Sequence, residues 1–491
     1  MKKYIALLLS LLLVFTFFTS ASAAKKKADP SPTSEPIPEP TLSPSAPDYD
    51  PEHPEDLSPD QLYALSAILM TQDTGEVIFE KDPDTLRYPA SMTKILTVLL
   101  GIKLVDNPEQ TVVVSESALN IPADSSTMNL KAGEEIRFID VLYGTMLLSA
   151  NDGANVIAET VSGSIPAFVE LMNQTAVALG CTNTHFVNAH GYHDDYHYST
   201  ARDMAIIARE AMSDETFRAI AGSTSYRIPK TNKQRARNLT TKSEYMLTGS
   251  EEKPNKYYYE YASGIKTGSH SHSGYCFAGA ASKDGVDLVS VVMFTGKRAR
   301  WADTIKLMNY GFSQYMCVTP DYFIKEYPYI IETSNYSTSD TMLGKVQLTC
   351  SLKPGSEEIE IITTKSEVER MASNLKEYFD IDFTREFQAP ITAGEVLGTL
   401  KYHAGGKESV YELKAGRSVD QREDVPKTLE QIISETYADP NPFPPFGFDL
   451  AVILFGPPLL VIGLIVFLVH HRRKKGARQM RAPRPVNRYV K

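Results

Sequence analysis

Ser91-Met92-Thr93-Lys94-Ile95-Leu96-Thr97-Val98-Leu99-Leu100-Gly101-Ile102-Lys103-Leu104 follows the breaker Pro89 and is apolar on nearly every side, which predicts a helix buried all round. Just before it, the runs Tyr63 to Met70 and Val77 to Phe79 flank Asp73-Thr74-Gly75 and predict a hairpin. Gly264 to Gly268, Gly274 to Ala281 and Val286 to Phe294 predict three more strands, the last two joined at Lys283-Asp284-Gly285. Trp301 to Phe312 predicts a helix returning across them. Helical patterns at Phe138 to Leu148, Ala154 to Val161, Pro166 to Leu179 and Ala201 to Met212 fill the interval. The expected class is therefore α+β: a mostly antiparallel sheet covered by helices, with a helical subdomain.

Beyond about residue 320, strand-like runs at Lys345 to Lys353, Glu358 to Thr364, Val396 to His403 and Ser409 to Leu413 predict a small β-rich C-terminal domain. The ends have a different character. Lys2 and Lys3, the apolar Ile5 to Phe18 and Ala21-Ser22-Ala23 have the layout of a secretory signal over 1–23. Leu450 to Val469 is an uncharged run of 20 residues, the length of a transmembrane helix, and the basic cluster from Arg472 to Lys475 behind it predicts a cytoplasmic tail over 470–491. The expected order is a signal (1–23), a disordered Pro-rich tether (24–57), a catalytic domain (58–318), the β-rich domain (319–425), a linker (426–449), the span (450–469) and the tail. The 491-residue chain carries a net charge of −10, but residues 24–450 hold 39 of its 50 Lys and Arg and all 60 of its acids, near −21. So acidic a segment is a poor partner for a phosphate backbone, and nucleic acid binding is excluded as the main function. The expected location is the cell membrane, single-pass, with the catalytic domain outside the cytoplasm.

Ser91 and Lys94 form a Ser-x-x-Lys pair, and three residues apart on a helix the hydroxyl and the amine share one face. A serine hydroxyl attacks only when a base takes its proton, and a lysine is that base only when burial or nearby positive charge disfavours its ammonium form. The spacing alone is weak. Ser22/Lys25, Ser250/Lys253, Ser263/Lys266 and Ser373/Lys376 share it, and Ser91 as a helix cap beside a surface Lys94 fits it equally. Of the five, only Ser91 opens an apolar helix behind a sheet hairpin. Two further groups strengthen the reading: Ser149-Ala150-Asn151 on a connector, and Lys266-Thr267-Gly268 in a strand, where alternation puts Lys266 and Gly268 on one face.

In this order the three groups resemble the active-site set of penicillin-binding proteins and serine β-lactamases. Tyr88-Pro89-Ala90-Ser91-Met92-Thr93-Lys94, His185-Phe186-Val187-Asn188 with Gly191, and His197-Tyr198-Ser199-Thr200-Ala201-Arg202-Asp203 resemble the serine-type, low-molecular-weight D-alanyl-D-alanine carboxypeptidases in particular. The resemblance covers about residues 58–315 and more loosely extends to about 420; Ala150 stands where many members have Gly. It implies a β-lactamase/transpeptidase-like catalytic domain that removes the terminal D-Ala from peptidoglycan stem peptides and binds β-lactams covalently. The implied catalytic residues are Ser91, Lys94, Ser149 and Asn151. Lys266, Thr267, Gly268, Ser269 and Arg298 would bind substrate, with Arg300 the alternative to Arg298. No metal or organic cofactor is expected, and the oligomeric state is left open. A serine β-lactamase and a non-catalytic β-lactam- or wall-binding protein are the competing readings. The histidines at 185, 190, 193 and 197 raise a zinc peptidase, against which stands the absence of a His-Glu-x-x-His motif from their region. Cys181, Cys276, Cys317 and Cys350 allow three disulfide pairings.

Overall fold

The computed structural model describes residues 49–423 together with Glu430, Ser434, Val461, Ile462, Leu464 and Ile465. The signal, most of the tether, most of the linker and the tail lie outside the described residues. Of the expected span only Val461, Ile462, Leu464 and Ile465 are described, as exposed helical residues. Among the described residues no helix is long and apolar enough to cross a membrane.

The hairpin is strand β1 (Ser66–Thr71) paired antiparallel with β2 (Val77–Lys81). Helix α1 (Lys94–Leu104) follows a 3-10 turn, Ala90–Thr93, and its residues Lys94 to Gly101 are all buried. β3 (Thr111–Val113) pairs with β4 (Glu135–Arg137), ahead of α2 (Phe138–Leu147), α3 (Asn151–Ser162), α4 (Ile165–Ala178), α5 (Ala201–Met212) and α6 (Glu215–Ala221). The starts of α4, α5 and α6 are capped: the side chains of Ser164, Thr200 and Asp214 accept the N–H groups of Ala167, Asp203 and Phe217. A second hairpin, β5 (Ser225–Ile228) with β6 (Arg237–Thr240), leads to β7 (Ala262–His270), β8 (Gly274–Lys283), β9 (Val286–Thr295) and α7 (Ala299–Gln314).

The main sheet has the order β2-β1-β9-β8-β7, all antiparallel, so the hairpin near the start of the catalytic region sits beside its last strand. Both faces are covered, and the period of two decides which residue serves which face. Ile68, Met70, Val289, Val291 and Met293 pack with α1 to α6, whereas Ala67, Leu69, Leu288 and Val292 pack with Trp301, Leu307 and Met308 of α7. That is why these strands read as continuous apolar runs rather than alternating ones. Each fully buried large aliphatic side chain contributes ~1.5–3 kcal/mol, which holds β1 and β9 firmly between the two helical layers.

After β10 (Tyr315–Val318) and a short helix α8 (Tyr322–Glu326) come the remaining elements: β11 (Ile330–Glu332), β12 (Lys345–Leu352), β13 (Ile361–Thr364), α9 (Lys365–Ser373), α10 (Leu375–Tyr378), β14 (Asp380–Phe383), β15 (Val396–Ala404) and β16 (Lys407–Ala415). Contacts divide the described residues 49–423 into two units, one of 49–329, 348–385 and 396–414 and one of 330–347, 386–395 and 415–423. In the first, β14 pairs with β15 and β15 with β16 through the tight turn at Gly405-Gly406, while β13 pairs with β10. In the second, β11 pairs with Lys345 to Gln347, and Tyr336 and Ile391 bridge to Gln421 and Val419. The four cysteines are free thiols; burial pushes Cys276 up to about 11.

Candidate active site

Ser91 sits on the 3-10 turn, not on the α-helix itself, and Lys94 is the first residue of α1. The tighter turn still brings them together: Lys94 Nζ lies 3.0 Å from Ser91 Oγ. Two glycines let other chain segments press on that turn. A Cβ on Gly268 of β7 would stand 2.6 Å from Pro89 O, and one on Gly191, whose φ is 79°, would stand 1.9 Å from Ala90 O. Ala90 has φ 48° and Ser149 φ 61°, left-handed conformations that cost a non-glycine residue ~1–3 kcal/mol and that packing must impose.

Lys94 is completely buried. Besides Ser91 Oγ, its Nζ meets Asn151 Oδ1 at 2.7 Å and His190 O at 2.6 Å. No carboxylate lies within ion-pair distance of it among the described residues. Burial therefore holds the amine well below the ordinary lysine value, and the charges of Lys266 and Lys242 add to that while Asp152 opposes it. An amine so placed accepts a proton readily from a hydroxyl only 3.0 Å away.

Asn151 opens α3 and is fixed from two sides: its backbone N–H donates to Ser126 O at 2.8 Å and its Nδ2 to Ser125 Oγ at 2.9 Å. Asp152 secures the same segment by accepting from Thr127 Oγ1, Met128 N and Leu130 N. Ser149, two residues before Asn151, is buried on the connector between α2 and α3. Lys266 is buried on β7 and donates to Thr267 O at 3.1 Å; burial, with Lys242 and Arg300 adding positive charge, brings it down to about 7. Thr267 is half-buried and Ser269 exposed along the same strand.

The two arginines part company. Arg298 is exposed at the start of α7, whereas Arg300 is buried, its guanidinium 4.3 Å from the Trp301 ring and 5.2 Å from that of Tyr275, with Nε unpartnered among the described residues. Tyr275 pairs with Ser269 across β7 and β8, and the charge of Arg300 reaches Lys266. Of the two alternatives Arg300 faces inward and Arg298 outward, because one helical turn is 3.6 residues and a shift of two carries the side chain to the other side of the helix.

The histidines brace the turn. His197 Nδ1 accepts from Val187 N at 3.2 Å, so its Nε2–H faces Thr93 Oγ1 at 2.8 Å, and Thr93 Oγ1 donates to Ala90 O. Burial keeps His197 well below its ordinary value and brings His190 down to about 3. His190 contributes its carbonyl to Lys94, while its Nδ1 accepts from Tyr192 N. Of the sequence-predicted residues, Ser91, Lys94 and Asn151 are joined directly, and Gly268 presses β7 against their turn. Ser125, Ser126, the His190 carbonyl and Lys242 were not foreseen.

The model of a peptidase family described as D-alanyl-D-alanine carboxypeptidase matches residues 53–296. The D-alanyl-D-alanine carboxypeptidase DacF of Bacillus subtilis is 31% identical over 372 residues, 74% of this chain and 86% of the relative. A D-alanyl-D-alanine carboxypeptidase from a Streptomyces strain is 32% identical over 263 residues, 51% of this chain and 87% of the relative. A crystal structure of a Streptomyces DD-transpeptidase is 29% identical, with 51% of this chain and 97% of that chain covered, at a TM-score of 0.47.

Proposed function

The chain belongs to the D-alanyl-D-alanine carboxypeptidase family, and from that premise we propose how its cleft acts as a serine peptidase on peptidoglycan stem peptides ending in D-Ala-D-Ala. The observation that carries the reading is a fully buried amine, without a carboxylate partner among the described residues, 3.0 Å from a partly exposed serine hydroxyl.

Ser91 Oγ attacks the penultimate D-Ala carbonyl as its proton passes to Lys94 Nζ. The tetrahedral oxyanion is received by the backbone N–H groups of Ser91 and Ser269; one such donor is worth ~10²–10³ in rate. The C–N bond breaks, Ser149 relays the proton to the departing amine, and free D-Ala leaves. An ester on Ser91 remains. Water, losing a proton to Lys94, hydrolyses it and restores the hydroxyl. Asn151 orients Lys94 and the peptide, and Lys266 supplies positive potential. Thr267 and Ser269 meet the substrate carboxylate with Arg300, whose Nε, unpartnered among the described residues, and proximity to Lys266 support that role. A β-lactam would acylate the same hydroxyl.

The export reading rests on composition: a signal over 1–23, a single span over 450–469 and a basic tail on the cytoplasmic side leave the cleft facing the wall. The test is free D-Ala released from a D-Ala-D-Ala-terminated pentapeptide by the full chain in detergent, beside Ser91→Ala. Release by the wild type and none by the variant is expected; equal release by both contradicts the assignment.

A further inference from the structure

Lys242 follows β6 by two residues and precedes the 3-10 turn Glu244–Met246, which packs on β7. Its side chain is exposed, and Nζ donates to Ser126 Oγ at 3.3 Å. Ser126 and Ser125 are the residues that hold Asn151, so Lys242 stands at the lip of the cleft beside the group that touches Lys94. Its charge reaches both Lys94 and Lys266.

A lysine set among like charges ordinarily finds a carboxylate. Lys103, Lys325, Lys407 and Lys414 have Asp214, Asp321, Glu357 and Glu412. Among the described residues Lys242 has no such ion pair, and the acids nearby are committed elsewhere. Asp124 accepts from Tyr192 Oη, Asp152 holds the 127–130 segment, Glu134 pairs with Arg237, and the charge of Glu244 bears on Arg300. The cleft thus has two cationic ends. Arg300 lies by Ser269 and Tyr275, Lys242 lies by Ser126 and Asn151, and the Ser91 turn lies between Asn151 and β7. With the terminal carboxylate at the Thr267 and Ser269 end, the acyl half of the peptide runs towards Asn151 and Lys242.

Resting on the carboxypeptidase reading, we propose that Lys242 forms a second anion subsite, which selects stem peptides whose residue before D-Ala-D-Ala ends in a free side-chain carboxylate. An anionic group there relieves the repulsion between the charges of Lys242 and Lys266. A cation cluster in a segment near −21 also draws anionic substrates to the cleft rather than to the surrounding surface.

The probes are Nα-acetyl-L-2-aminopimelyl-D-alanyl-D-alanine, whose side chain ends in a carboxylate, and its side-chain carboxamide. D-Ala release is followed with the full chain in detergent. Wild type is expected to prefer the acid by ~10-fold in kcat/KM, carried by KM, with the preference shrinking as salt rises. Lys242→Met brings the acid-to-amide ratio to about one, and Lys242→Arg restores most of it. A wild-type ratio of about one, or a Lys242→Met variant that loses the same factor on both probes with the ratio kept, overturns the subsite; the latter marks Lys242 as acting only on Lys94 and Lys266. Hydrolysis of neither probe by wild type contradicts the carboxypeptidase reading itself and the subsite with it.

Discussion

Lys94 and Lys266 lie inside the catalytic region with no carboxylate within ion-pair distance among the described residues, whereas Lys401, Lys407 and Lys414, from 348–414, sit at the surface against Asp382, Glu357 and Glu412. Exposed pairs of the second kind are worth ~0–1 kcal/mol and leave the lysine ordinary. An unpaired buried cation costs several kcal/mol, and the protein meets that cost by giving up the proton. Packing alone would have put an apolar side chain in either place. The contrast therefore locates chemistry without reference to any motif: where a fold retains a buried amine with only neutral partners, the neutral amine or a ligand's charge is what it is kept for.

The comparison breaks most visibly at the nucleophile. Ser91→Ala should lower D-Ala release by ~10⁴-fold or more, because Ser91 Oγ is the hydroxyl that Lys94 Nζ meets. Lys94→Met should lower it by ~10²–10⁴-fold, the range of a lost general base, with a fall in Tm because Asn151 Oδ1 and His190 O lose their donor. Rate measurements with thermal melts of both variants separate the chemical from the structural part.

The two buried lysines also predict a bell in kcat/KM against pH. Lys94 must be neutral to accept the Ser91 proton, so activity climbs as pH rises through its lowered value. Lys266 must be charged to attract a carboxylate, so activity falls, approaching ~10-fold per unit, above about 7. Lys266→Arg, which stays charged, should abolish the descending limb while the ascending limb remains. Stability has the opposite sign. Between about 7 and the ordinary lysine value near ~10.4, the unfolded chain holds a proton on Lys266 that the folded one does not, so this group makes folding more favourable as pH rises across that window.

Smaller effects sharpen the comparison. Gly268→Ala should cost ~1–3 kcal/mol in a denaturant melt, since its Cβ meets backbone at Pro89, and should depress activity by displacing β7 from the Ser91 turn. Lys407→Ala removes an exposed pair with Glu357 and should change stability by less than ~1 kcal/mol and activity not at all.

Much of this was legible beforehand, for definite reasons. The strands β1, β8 and β9 and the buried first helix follow from apolar runs long enough to be covered on both faces. The Gly405-Gly406 turn marks the β15–β16 hairpin just as clearly. The short hairpins β3–β4 and β5–β6 escaped because three or four residues carry no period, and β14 because Asp380 and Asp382 make it look like a loop. In the site, Ser91, Lys94 and Asn151 were readable as motifs. Arg300 was not separable from Arg298 until the helix phase was known. Lys242 sits in a polar stretch between Lys230 and Ser243, where one lysine looks like the next, and only the folding of β6 towards Ser126 distinguishes it.

The most direct test of the central claim is to acylate the full chain with a labelled penicillin, digest it and identify the labelled peptide by mass. The account predicts a single adduct on Ser91, lost in Ser91→Ala and formed much more slowly in Lys94→Met. An adduct on any other residue, or unchanged labelling of Ser91→Ala, would contradict it.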